Sequence, residues 1–181
     1  PPRPPALCPG CPHRAFFYNL RKKRAKIMIA GDIGCYSMGV LPPYESMDML
    51  ISMGASVGMA HGFQQAGGQE DAVATIGEST FFHSGMAPLA SAVYNKSNIT
   101  VAVLDNRITA MTGQQENPGT GTTLQGAQGE HIDIAETCRA LGCTFVEEVD
   151  AWDVDGVKQT LTATIDHEDG PAVVVVRGAC V

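Results

Sequence analysis

Residues 73–79 read Val-Ala-Thr-Ile-Gly-Glu-Ser, an apolar, β-branched run that ends in a glycine and a carboxylate. Residues 99–107 repeat the arrangement as Ile-Thr-Val-Ala-Val-Leu-Asp-Asn-Arg, and Asn106 follows Gly77 by 29 positions. Parallel strands of this kind end at the same carboxyl edge of a sheet, where open α/β sheets bind their ligands. Carboxylate, amide and backbone carbonyl oxygens suit Mg²⁺ that also holds phosphate oxygens. Each stretch alone is more typical of an ordinary strand end, but together they predict a metal–phosphate site that contains Glu78 and Asn106.

The rest of the chain alternates between strand-like and helix-like segments. Strand-like runs lie at 26–30, 72–76, 99–104, 143–149 and 172–177, and helix-like segments at about 12–24, 48–65, 85–95, 132–141 and 154–167. This alternation predicts an α/β fold with an open, mainly parallel sheet and helices on both faces. Asp133 is predicted to cap one helix, Asp153 or Asp155 another.

The stretch 109–130 directly follows Asn106 and is rich in glycine. A long irregular loop in a compact domain is usually functional or mobile. We expect this loop to close over a bound diphosphate, and a disordered surface loop is the alternative.

Length and composition limit the class of protein. A chain of 181 residues fits a single domain, and we expect one domain over 1–181. The proline-rich residues 1–7 are predicted to be a linker, so we expect the whole to be a segment of a longer chain. A net charge of -7 argues against nucleic-acid binding. Because no apolar run is as long as a membrane span and no stretch reads as a secretory signal, we expect a cytoplasmic protein with no membrane partner.

Four of the six cysteines are predicted to converge. Cys8 and Cys11 form a tight pair, Cys35 follows the first strand, and Cys180 follows the last strand. Four thiolates favour an iron–sulfur cluster or zinc, and the lone third and fourth cysteines favour [4Fe-4S]. The remaining cysteines, 138 and 143, are read as small core residues.

Longer motifs support a family resemblance. Residues 8–14 read Cys-Pro-Gly-Cys-Pro-His-Arg, 31–39 Gly-Asp-Ile-Gly-Cys-Tyr-Ser-Met-Gly, 77–86 Gly-Glu-Ser-Thr-Phe-Phe-His-Ser-Gly-Met, and 104–113 Leu-Asp-Asn-Arg-Ile-Thr-Ala-Met-Thr-Gly. They resemble the thiamine-diphosphate-binding, diphosphate-type domain of the 2-oxoacid:ferredoxin oxidoreductases, in particular the alpha subunit of the indolepyruvate branch. Pro12-His13 after the cysteine pair is similar to that branch.

The resemblance implies a ligand for each position that matches the family motifs. Mg²⁺ would be held by Glu78, Asn106 and the Ile108 carbonyl, and an iron–sulfur cluster by Cys8, Cys11, Cys35 and Cys180. Contacts to thiamine diphosphate would come from Gly34, Cys35, Met53, Gly77, Glu78, Ser79, Thr80, Asn106, Thr112 and Gly113. The family usually has Asp at position 78, so the longer Glu requires the loop to retract or the metal to shift. His13, His61 and His83 are further polar candidates near the site.

The implied function is oxidative decarboxylation of a 2-oxoacid, such as indolepyruvate, to an acyl-CoA, with coenzyme A as acyl acceptor and ferredoxin as electron acceptor. The catalytic Glu that activates the cofactor would lie on a separate pyrimidine-binding domain, so this segment alone should be inactive, and a beta subunit is a further expected partner. A non-oxidative thiamine-diphosphate decarboxylase would use the same site without a cluster. A zinc-stabilised interaction module would bind no thiamine diphosphate.

Overall fold

The structure is a computed structural model that describes residues 4–181. Residues 1–3 of the predicted linker lie outside the described residues. Of the remaining linker, Leu7 is buried and belongs to the hydrophobic core, so the linker prediction is wrong at that residue. None of the helices in the described part of the chain has the length and apolar character needed to cross a membrane.

The core of the fold is a five-stranded parallel sheet, as predicted. Its strands are β1 (Ile27–Ala30), β2 (Asp71–Gly77), β3 (Ile99–Asp105), β4 (Phe145–Asp150) and β5 (Ala172–Arg177), in the spatial order β1-β2-β3-β5-β4. All seven residues of β3 are buried, since this central strand is covered on both faces. Successive side chains of β3 enter different halves of the core: Val103 packs in one cluster and Leu104 in the other.

Helices cover both faces of the sheet. They are α1 (His13–Lys23), α2 (Ser56–Gln65), α3 (Glu78–Thr80), α4 (Met86–Tyr94), α5 (Ile134–Ala140) and α6 (Val154–Ile165). Buried residues of α1 and α6 belong to the core cluster on one face, and those of α2, α4 and α5 to the cluster on the other. The predicted caps are confirmed at Asp133 and Asp153, whose side chains accept hydrogen bonds from the backbone N–H groups of Glu136 and Gly156.

Two helix boundaries differ from the prediction. The helix expected over 48–65 begins only at Ser56, because Met49 pairs with the edge of β1: Gly31 donates a 2.8 Å hydrogen bond to its carbonyl. The helix expected over 85–95 begins directly after β2, as α3, and passes through a π-helix at Phe81–Gly85 before α4. Such π-helical turns occur frequently at functional sites.

Candidate functional site

A cleft opens at the carboxyl edge of the sheet, where β1, β2 and β3 end. Its volume is about 490 Å³ including the open mouth. Nearly all the residues predicted for the metal and thiamine diphosphate line it, and only Gly113 lies just outside. The lining residues are His13, Ile33, Gly34, Cys35, Tyr36, Met53, Gly77, Glu78, Ser79, Thr80, Asn106, Ile108, Thr109, Ala110, Met111 and Thr112. The structure thus brings the predicted positions together, and their binding roles stay predictions.

Glu78 lies at the bottom of this cleft, at the first position after β2, and only 4% of its surface is exposed. Burial, helped by the nearby Asp105 carboxylate, raises the pKa of its carboxyl group to about 7, although neighbouring backbone N–H groups oppose the shift. Within residues 4–181, no Lys, Arg or His side chain forms an ion pair with Glu78. A buried carboxylate without a protein cation is suited to a bound metal ion, so the site fits Mg²⁺.

Asn106 lies beside Glu78, at the first position after β3. Its side-chain Oδ1 accepts a hydrogen bond from the Ile108 N–H at 3.3 Å, and its own carbonyl accepts one from the Cys180 N–H at 3.0 Å. Arg107, with φ +62, turns the chain between Asn106 and Ile108. This turn leads from the end of β3 directly into the cleft wall.

Gly77 makes the close packing behind Glu78 possible. A Cβ atom at this position would lie 2.6 Å from Cε1 of Tyr36, well inside normal contact distance. The Tyr36 hydroxyl in turn donates to the Ile33 carbonyl at 3.0 Å. The ring of Tyr36 therefore separates the β1 and β2 ends of the cleft, and the glycine of the motif is needed for space.

Asp32 is a buried residue that sequence reasoning missed. Its carboxylate accepts hydrogen bonds from the Gly54 N–H at 2.8 Å and from the Ser56 hydroxyl at 3.0 Å. Gly54 has φ +86, a conformation that favours glycine. Asp32 therefore fixes the turn that carries Met53 into the cleft lining.

The loop at 109–130 contains neither helix nor strand, but hydrogen bonds organise it. Thr109 and Gln115 form one isolated bridge, and Thr122 and Gln128 another. The first part of the loop lines the cleft, which agrees with its predicted location over the site. Asn117, further along, is buried and donates to Glu78 Oε1 at 3.2 Å. No sequence pattern marked this residue.

The four predicted cluster cysteines approach one another at the same edge of the fold. Burial raises the pKa of the Cys11 thiol, and the nearby thiols of Cys35, Cys8 and Cys180 raise it as well. All four are free thiols that are exposed or partly exposed, whereas Cys138 and Cys143 are buried as predicted. Among residues 4–181, however, no three Cys, His, Asp or Glu side chains already stand in a metal-binding arrangement.

The three candidate histidines have different environments. His13 lines the cleft and is buried, and burial lowers its pKa to about 4, so it is neutral at physiological pH. His83 Nε2 lies 3.2 Å from the Met53 sulfur at the cleft mouth. His61 Nδ1 lies 2.7 Å from the Ser97 hydroxyl and does not line the cleft, so a structural role explains it.

Comparisons with known proteins match most or all of this chain. The family model for the thiamine pyrophosphate (TPP, or thiamine diphosphate) enzyme C-terminal TPP binding domain matches residues 32–176. Indolepyruvate oxidoreductase subunit IorA of Pyrococcus horikoshii is 47% identical over 99% of this chain, and that of Methanothermobacter marburgensis is 45% identical over 99%. The chain spans about 30% of the length of these relatives.

Solved structures share the fold. A 2-oxoglutarate:ferredoxin oxidoreductase from Magnetococcus marinus, with 2-oxoglutarate, coenzyme A and succinyl-CoA bound, superimposes with a TM-score of 0.86 over 99% of this chain and 66% of its own. Benzoylformate decarboxylase from Polynucleobacter necessarius gives 0.68 over 93% of this chain and 33% of its own. At 22% and 16% identity, these two likenesses concern the fold alone.

Proposed function

Because this chain belongs to the thiamine pyrophosphate enzymes, as their C-terminal TPP binding domain, we propose that it is the diphosphate-binding part of a 2-oxoacid:ferredoxin oxidoreductase. The proposed reaction is oxidative decarboxylation of a 2-oxoacid to an acyl-CoA. Indolepyruvate or a similar arylpyruvate is the proposed substrate, since the relatives that are 43–47% identical are named indolepyruvate oxidoreductase subunits. The observation that carries the proposal is the buried Glu78 carboxylate beside Asn106, without a protein cation, at the carboxyl edge of the sheet.

Thiamine diphosphate, when bound, supplies the carbanion chemistry that allows a 2-oxoacid to lose CO₂. The chain's own part is to hold the diphosphate end of the cofactor. Glu78, Asn106 and the Ile108 carbonyl would bind Mg²⁺, whose charge neutralises the buried carboxylate and the phosphate oxygens. Ser79 and Thr80, both in α3, line the cleft, and their hydroxyl groups would donate to phosphate.

A [4Fe-4S] cluster held by Cys8, Cys11, Cys35 and Cys180 is the second part of the proposal. The pKa values of the Cys11 and Cys35 thiols are raised by burial and also by the neighbouring thiols, and an iron cluster would hold all four cysteines as thiolates. Cys35 also lines the cleft, so the cluster would lie beside the cofactor and could receive its electrons for ferredoxin. The thiols would have to close in by local movement to bind iron.

The mouth of the cleft supports a proposed interface. Met53 and Met111 line this cleft and are each 50% exposed, which is unusual for large apolar side chains around a cofactor site. We propose that a pyrimidine-binding domain, or a beta subunit, covers this surface and contributes the activating Glu. Coenzyme A would then enter between the two parts to accept the acyl group.

Calorimetry on the complete protein tests the metal part of the proposal. Glu78→Ala should abolish Mg²⁺-dependent binding of thiamine diphosphate, because the variant loses the only charged ligand. Glu130→Ala, which removes an exposed carboxylate from the 109–130 loop, is the matched control and should bind normally. Unchanged affinity in Glu78→Ala would refute the assignment.

Iron content tests the oxidative part. Anaerobically prepared protein should contain iron and sulfide, and Cys35→Ala should lose both, together with reduction of ferredoxin, while Cys138→Ala retains them. Decarboxylation without iron or ferredoxin reduction would instead favour the non-oxidative decarboxylase. One bound zinc and no affinity for thiamine diphosphate would favour an interaction module.

A further inference from the structure

The hydrogen bond between Asn117 and Glu78 joins two parts of the chain that are 39 residues apart. The amide nitrogen Nδ2 of Asn117 lies 3.2 Å from Oε1 of Glu78. Both side chains are buried, with 9% and 4% of their surface exposed. The amide donates and the carboxylate oxygen accepts, so each of the two buried groups provides a hydrogen-bond partner for the other.

The orientation of the Asn117 side chain is fixed by its own turn. Its Oδ1 accepts a hydrogen bond from the Gly119 N–H at 2.9 Å, which leaves the Nδ2 group to face Glu78. The backbone carbonyl of Asn117 accepts from the Thr120 N–H at 2.9 Å and from the Thr120 hydroxyl at 2.8 Å. These bonds within the turn direct the Nδ2 group towards Glu78, and the same group also donates to the Thr109 hydroxyl at 3.4 Å.

Glu78 is one methylene longer than an aspartate would be at the same position, and the structure shows where this extra length leads. It carries Oε1 to the 109–130 loop, where Asn117 provides a donor. Within residues 4–181, Asn117 is the only side chain that donates to Glu78. The other oxygen, Oε2, has no side-chain donor among the described residues, and the remaining donors near this carboxylate are backbone N–H groups.

We infer that Asn117 is a positioning residue that orients the Glu78 carboxylate for metal binding and fastens the 109–130 loop to the metal site. This inference rests on the proposed function, because it assumes that Glu78 binds Mg²⁺. Partners that hydrogen-bond to a metal ligand typically change metal affinity about 10- to 100-fold when they are removed. Binding of Mg²⁺ and thiamine diphosphate should therefore also stabilise the loop.

The test is a double-mutant cycle on the complete protein, with calorimetric affinity for thiamine diphosphate at several Mg²⁺ concentrations. Asn117→Ala removes the donor, and Asn117→Ser keeps an oxygen that can accept from Gly119 but is too short to reach Glu78. Each is made with and without Glu78→Asp, which retains the charge and loses the reach. Gln125→Ala, an exposed position on the same loop, is the matched control.

We expect both Asn117 variants to weaken Mg²⁺-dependent binding by about 10- to 100-fold. In the Glu78→Asp background, the same substitutions should have a much smaller effect, and Gln125→Ala should have none. In the absence of metal and cofactor, Asn117→Ala should also speed amide exchange of residues 109–130, a result that is independent of catalysis.

Two results would overturn the inference. One is that Asn117→Ala binds thiamine diphosphate with unchanged affinity although Glu78→Ala has abolished binding. In that case the inference fails and the proposed function remains supported. The other is an equal loss from Asn117→Ala in both backgrounds, since the residue would then act through the loop alone. If Glu78→Ala itself binds normally, the proposed function fails first, so the two failures are distinguishable.

Discussion

Replacing Glu78 by glutamine should remove a large pH dependence from the stability of the cofactor-free chain. Burial raises the pKa of this carboxyl group from 4.5 to about 7 in the folded protein. Since the folded state holds the proton more tightly than the unfolded state, the stabilisation is fully present below pH 4.5 and is lost as the pH rises through 7. At 1.36 kcal/mol for each pKa unit, the loss is about 3 kcal/mol.

The assay compares urea unfolding of the wild-type chain and Glu78→Gln at several pH values between about 5 and 8, without metal or cofactor. Glutamine does not ionise, so the variant should gain stability relative to wild type as the pH rises, by about 2–3 kcal/mol in total. The difference is the quantity to measure, because other groups titrate too. His13, whose pKa is lowered to about 4, acts in the opposite direction: its stabilisation is lost as the pH falls from 6.5 through 4.

Glu130→Gln is the matched control for the loss of one negative charge, since it changes an exposed carboxylate on the neighbouring loop. The reasoning would be refuted if the stability difference between wild type and Glu78→Gln stayed constant from pH 5 to 8. It would also be refuted if Glu78→Gln lost stability relative to wild type as the pH rose. Adding Mg²⁺ and thiamine diphosphate should stabilise the wild type at pH 8 and reduce the advantage of Glu78→Gln, because the carboxylate then has a cation.

Three further substitutions test the packing around the site by urea unfolding. Arg177→Gln removes the cation that lies 3.1 Å from the nearly buried Asp105 carboxylate, and should cost on the order of 3 kcal/mol; full stability would show that this ion pair is unimportant. Gly77→Ala places a Cβ against the Tyr36 ring and should cost about 1–3 kcal/mol, unless the ring moves freely. Cys138→Ala in the core should cost only about 1 kcal/mol and leave iron content unchanged.

The sheet could be predicted from the sequence because its signals are local. The runs that form β2, β3 and β5 consist mostly of apolar and β-branched residues, as expected for strands buried on both faces. The segment at 48–55 was wrongly predicted as helix, since its spaced apolar residues look helical. Its actual conformation depends on pairing between Met49 and β1, a contact across about 20 residues that no local pattern reveals.

The same contrast between local signals and distant contacts applies to the residues of the candidate site. Glu78 and Asn106 could be located from sequence, because a parallel sheet brings the ends of neighbouring strands together. Asp32 and Asn117 could not, because their partners lie 22 and 39 residues away and a single polar residue in a turn has many ordinary explanations. The sequence therefore located the predicted ligands but missed two buried polar residues whose hydrogen bonds organise the surrounding structure.

Cys180 shows how the fold connects the predicted iron–sulfur cluster to the predicted magnesium site. Beyond the last pair of β3 and β5, Asp105 and Arg177, the Gly178 N–H donates to the Asp105 carbonyl and the Cys180 N–H to the Asn106 carbonyl, each at 3.0 Å. Two backbone hydrogen bonds thus continue beyond the end of the strands as far as Cys180, which is held there through its N–H group. Because Asn106 is one of the predicted magnesium ligands, this bond links the backbone of a predicted cluster ligand to that of a predicted metal ligand. Replacing the Cys180 side chain should therefore remove a cluster ligand without moving Asn106.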